Sequence, residues 1–153
     1  MGIARWYKRL RHTYGFGIHS PSAYELIMEV IRRPRGCACY APDSLLYRLI
    51  AHYCPAKIEV RGHCDEYEAI ARSAAQTSVV KAEKFIIVCK NAPDSMIEPS
   101  TEGTEVIYFD DARSPVFARL AGEMKRGHIF ASKRRALAVC DPRLPLQTFT
   151  LNF

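Results

Sequence analysis

A chain of 153 residues, 48% hydrophobic and 25% charged, can bury the core of one domain and has the composition of an ordinary globular protein. No apolar run approaches the roughly 20 residues of a membrane span. Residues 1–10 have no apolar secretory stretch, and Trp6 breaks the myristoylation pattern. A cytoplasmic protein with no transmembrane segment is expected.

The net charge of +6 is concentrated at the start, where Arg5, Lys8, Arg9, Arg11, Arg32, Arg33 and Arg35 face only Glu25 and Glu29. Ile3, Trp6, Tyr7, Leu10 and Tyr14 recur at helical spacing between those bases. Such a helix docks its apolar stripe on its own domain or a second subunit, or binds nucleic acid or an anionic surface. The docking role is the plainer one, and a homo-oligomer is compatible with it.

Residues 14–19 read as an irregular link. Ser20 and Pro21 then give an N-cap and first helical position, and the helix runs through Ile31 to a stop at Pro34. A second helix starts at Asp43 or Ser44 and ends before Pro55. Ile58 to Val60 is a short strand, and Asp65 to Ala75 a helix with an acidic first turn. Phe85 to Cys89 and Val106 to Phe109 are continuous apolar runs, as in strands buried on both faces. Between them, Pro93, Pro99 and Gly103 mark a loop. Ser114 and Pro115 begin a last helix, which Gly127 ends. Residues 128–131, 136–140 and 148–152 make three closing strands. Strands alternating with helices, then consecutive strands, indicate an α/β fold with a mixed sheet.

The six cysteines do not form a metal motif. A zinc site from Cys37, Cys39, His52, Cys54, His63 and Cys64 lacks paired ligand spacings, so reduced structural thiols are the better reading. Cys64 at a helix start could be activated by the helix dipole but has no identified base to pair with, and neither a nucleophile elbow nor a phosphate loop occurs.

Gly17-Ile18-His19-Ser20-Pro21, with Tyr24 and Leu26-Ile27, resembles the N-terminal signature of a group of bacterial class I S-adenosylmethionine-dependent methyltransferases. Residues 45–50 and 55–60 are similar to their first helix and strand. Phe109-Asp110-Asp111 with Ser114-Pro115 resembles their late strand, and residues 140–144 and 149–153 their closing hairpin. The resemblance covers about two-thirds of the chain. It implies one domain over residues 1–153, with a basic helical region (1–35) and a sheet-containing core (36–153). The implied fold is a Rossmann-like methyltransferase-type mixed sheet with helices on both faces, reduced in size.

The implied cofactor is S-adenosylmethionine, with Glu59, Gly62, His63 and Glu83 as candidate binding residues. Asp110, Asp111 and His19 are the catalytic candidates: two acids at a strand end and an imidazole able to act as a base near neutral pH. The bland alternatives are a turn cap for Asp111, a solvated Asp110 and a structural His19.

The departures are as informative. The relatives carry a glycine-rich loop after the first strand, where this chain has Arg61-Gly62-His63-Cys64-Asp65. Glycines let a backbone approach a cofactor without a Cβ clash. The middle of the chain is also too short for the usual strand–helix units. These features favour a degenerate, non-catalytic scaffold kept for binding or assembly. The alternatives are an active methyltransferase with a remodelled loop, and a basic module for nucleic acid or an anionic surface.

Overall fold

The computed structural model describes residues 7, 10, 11, 17–32, 44–74, 80–93, 97–98 and 102–153. The basic helix expected over residues 3–14 lies mostly outside these. Tyr7, Leu10 and Arg11 are helical, and the Arg11 guanidinium lies 6.0 Å from the Tyr7 ring centroid. Trp6, Cys37 and Cys39 are outside the described residues.

The Ser20 hydroxyl accepts from the Ala23 N–H (3.4 Å), and Pro21 occupies the first turn, where an N–H would have no helical partner. Helix α1 is α-helical over Pro21–Glu25 and continues as a π-helix over Leu26–Ile31. The wider turn closes where Arg32 N donates to Ile27 O at 2.9 Å. Arg48 of α2 (Ser44–Tyr53) donates from Nε to Val30 O (2.8 Å) and from Nη2 to Ile31 O (3.5 Å). Carbonyls left over at the helix end thus find partners.

Strand β1 (Pro55–Arg61) leads into α3 (Asp65–Ala74), β2 (Ala82–Val88) and β3 (Glu105–Phe109). Then come α4 (Pro115–Glu123), β4 (His128–Ala131), β5 (Ala136–Cys140) and β6 (Gln147–Thr150). The six strands form one sheet in the order β1-β2-β3-β5-β4-β6. β1, β2 and β3 are parallel neighbours; β5 runs against both β3 and β4; β6 is parallel to β4. The fold is therefore α/β with a mixed sheet.

Strand alternation divides the core. Phe85, Ile87, Val106, Tyr108, Leu137 and Val139 share one buried cluster with residues of α1, α2 and α3. Ile86, Val88, Ile107, Phe109, Ala138 and Cys140 pack with Val116, Leu120 and Met124 at the other face. Helices thus cover both faces, and each large apolar side chain buried contributes about 1.5–3 kcal/mol. Several expected boundaries move, among them the start of β2, at Ala82 rather than Phe85, and the end of β6, at Thr150 rather than Asn152. β1 begins at Pro55, three residues before Ile58, and α4 ends at Glu123 rather than running to Gly127.

Phe130 and Phe149 stack at 5.2 Å, with the His128 ring edge-on to both at 6.0 and 5.8 Å. His128 is 2% exposed, and burial lowers its pKa below the ordinary 6.5, so the imidazole is neutral. Among the described residues no helix is long and apolar enough to cross a membrane.

Candidate functional site

The carboxyl ends of β1, β2 and β3 lie side by side, because the strands are parallel and in register to Arg61, Val88 and Phe109. In open α/β sheets this edge is where ligands bind. Three loops meet there: residues 62–64, 89–92 and 110–114. Cys89 N donates to Arg61 O (2.9 Å), and Asp110 N to Val88 O (3.0 Å).

Gly62 has φ +92°, a conformation that favours glycine, so this residue is required by its turn. Its open side is filled from within the protein. A Cβ there would lie 2.7 Å from Asn91 Oδ1 and 3.0 Å from the Ala92 backbone. Asn91 grips the next residue at two points: His63 N donates to Oδ1 (3.2 Å), and Nδ2 donates to His63 O (3.1 Å). The His63 side chain itself is exposed.

Asp110 is partly buried and accepts a short bond from the Tyr67 hydroxyl, 2.6 Å. Tyr67 belongs to α3, is 5% exposed, and meets the Tyr108 ring edge-on at 6.2 Å. Arg135 Nε lies 4.0 Å from the same carboxylate oxygen. Asp111 does otherwise: its Oδ1 accepts from Arg113 N (2.9 Å) and Nε (3.3 Å), and its carbonyl accepts from Ser114 N (3.2 Å). It is a turn cap, and the Arg113 N–H is the main cause that lowers its pKa.

Burial above all, then Cys64, Asp110 and Glu68, pushes the Cys89 pKa up to about 11, so this thiol is protonated at neutral pH. Among the described residues no three His, Cys, Asp or Glu side chains are grouped to hold a metal.

Glu59 lies on the sheet face opposite Ile58 and Val60 and is already paired, with Lys84 Nζ at 2.7 Å and Arg61 Nε at 2.7 Å. Hydrogen bonds from Lys84 and then Arg61 hold its carboxyl at about 2. Glu83 stands at the start of β2, the opposite end of the sheet from Gly62 and Asp110. Its carboxyl sits against Gly103. His19 is exposed just before the Ser20 cap, and among the described residues no hydrogen bond or ion pair joins it to Asp110 or Asp111.

The structure thus brings Gly62, His63 and Asp110 to one edge, adds Asn91 and Tyr67, and leaves Glu83 apart. No protein-family model, curated protein or solved structure matches this chain significantly.

Proposed function

We propose that this protein is a methyltransferase-like scaffold that no longer transfers methyl groups and serves binding or assembly. The observation that carries the reading is Asn91. A cofactor at this edge would approach the backbone of the loop after β1. Here the His63 N–H and C=O both bond Asn91, and Ala92 backbone lies against Gly62. Opening that space breaks two hydrogen bonds before a ligand gains any.

The sheet supports the family half of the reading. The resemblance implies a mixed sheet with helices on both faces, and β5 is one reversed strand in an otherwise parallel sheet covered on both faces. The acids support the degenerate half. Glu59 is committed to Lys84 and Arg61, Asp111 to Arg113, and Glu83 faces the far end. Pairing with Glu59 also balances the Arg61 charge, so repulsion of a sulfonium by Arg61 is a smaller obstacle than the filled loop. An active enzyme is the second reading, favoured by the Tyr67–Asp110 bond, which would fix a carboxylate beside a substrate.

Calorimetric titration with S-adenosylmethionine separates the two. The expected result is no binding tighter than roughly 100 μM, about −5.5 kcal/mol. A low-micromolar dissociation constant that weakens in Asp110→Ala restores the enzyme.

A further inference from the structure

Among the described residues, β1 has a hydrogen-bonded neighbour on one side only, and it forms one end of the sheet. No residue of β1 is fully buried, whereas β3 is buried throughout and β2 nearly so. Arg61 O turns toward β2, where it accepts from Cys89 N. Backbone groups alternate along a strand, so the N–H and C=O of Ala56, Ile58 and Val60 turn outward. Edge strands are blunted by an outward proline, a bulge, charged side chains or a covering element. Pro55, in the inward phase, protects nothing here, and the β1–β2 register is unbroken from Lys57 to Arg61.

The charges on this strand select a partner. Lys57, Glu59 and Arg61 share the face away from Ile58 and Val60. Lys57 is exposed and has no ion pair among the described residues. Glu59 has two cationic partners, and a carboxylate can accept from more.

We propose that β1 is the surface by which two copies of this chain associate, pairing antiparallel about Ile58 into one continuous sheet. In that register Ala56, Ile58 and Val60 exchange backbone bonds with Val60, Ile58 and Ala56 of the second copy. Each Lys57 then stands opposite Glu59 of the second copy, in the closer, non-hydrogen-bonded type of pair. A shift of two residues one way sets Glu59 against Glu59 and Lys57 against Arg61. A shift the other way sets Lys57 against Lys57. The Ile58-centred register is the one of the three that places unlike charges together. It owes nothing to the methyltransferase reading.

Sedimentation equilibrium of the full chain, from micromolar to millimolar, tests this. The expected result is a reversible dimer. Lys57→Glu turns two attractive cross-strand pairs repulsive and should weaken it roughly tenfold or more. Ala56→Pro removes an outward N–H that the monomer does not use, at an exposed position where edge strands tolerate proline. It should leave a folded monomer by circular dichroism. A wild-type chain that stays monomeric throughout overturns the proposal, as does a dimer whose dissociation constant neither substitution changes.

Discussion

Gly127→Ala is expected to be among the most damaging single substitutions in this fold. Gly127 joins α4 to β4 with φ +104°, and a Cβ there would lie 2.0 Å from Val139 O. That oxygen is backbone of β5 and cannot rotate away. Asp141 N at 3.0 Å adds a second backbone obstacle, while Met124 Cε at 2.8 Å can move. The turn cannot shift either, since Gly127 N donates to Leu144 O (3.1 Å) and Gly127 O accepts from Gln147 N (3.0 Å). A cost on the order of 4 kcal/mol follows from strain and overpacking together. For a domain of this size that lowers the melting temperature by roughly 10 °C. Gly122 is the control: it is exposed within α4, with nothing within 4 Å of a new Cβ. Gly122→Ala should stabilise by roughly 0.5–1 kcal/mol. Thermal unfolding followed by circular dichroism measures both, and equal effects would contradict the account of the turn.

Asp141→Ala should cost about 2–3 kcal/mol, through lost bonds and stranded donors. The carboxylate is buried after β5 and collects four donors. Oδ1 accepts from Arg143 N (2.9 Å) and Nε (2.9 Å); Oδ2 accepts from Arg143 Nη2 (2.7 Å) and Thr104 Oγ1 (3.0 Å). Thr104 leads into β3, so the carboxylate ties the closing turn to the sheet. Hydrogen bonding to the Arg143 side chain is the main cause holding its pKa at about 2. The folded value is depressed, so this stability is present above the unfolded value of 3.8 and is lost as pH falls through about 2. Glu59 follows the same sign, with a smaller share because its side chain is 30% exposed to solvent. His128 acts earlier. Its folded pKa is also lowered, but it is a base, so stability is lost once pH falls below the unfolded 6.5. Urea midpoints against pH should therefore decline gently below 6.5 and steeply near 3. Asp141→Ala should remove much of the steep part, and an unchanged profile would contradict the assignment.

Features set by neighbouring residues were legible in the chain. Ser20-Pro21 and Ser114-Pro115 read as helix starts because capping uses atoms three residues apart. The apolar runs of β2 and β3 read as buried strands because both their faces are covered. Pro55 misled, since proline halts a helix but is also tolerated at the start of an edge strand, which is how β1 uses it. The π-helical turns after Glu25 have no compositional mark in this sequence.

At the candidate site, Gly62 and Asp110 were visible from local pattern, a turn glycine after one strand and an acid ending another. Tyr67 falls inside the helix expected after β1 and carries no local mark of a role, because its partner Asp110 lies 43 positions away. Asn91 lies at the start of the loop between β2 and β3 and carries no local mark of a role. Its two bonds to His63, 28 positions away, exist because β1 and β2 are adjacent and parallel. The order of strands, which the hydrophobic pattern does not encode, decides such meetings.

The most direct test of the self-filled edge follows the His63 amide by proton–nitrogen correlation spectroscopy during titration with S-adenosylmethionine. In the free protein that amide donates to Asn91 Oδ1, and Asn91→Ala should speed its exchange with solvent. The account predicts that the Gly62, His63 and Asp110 signals of the wild-type chain stay in place up to millimolar ligand. Saturable shifts of those three signals at low-micromolar ligand, with the His63 amide released from Asn91, would contradict it.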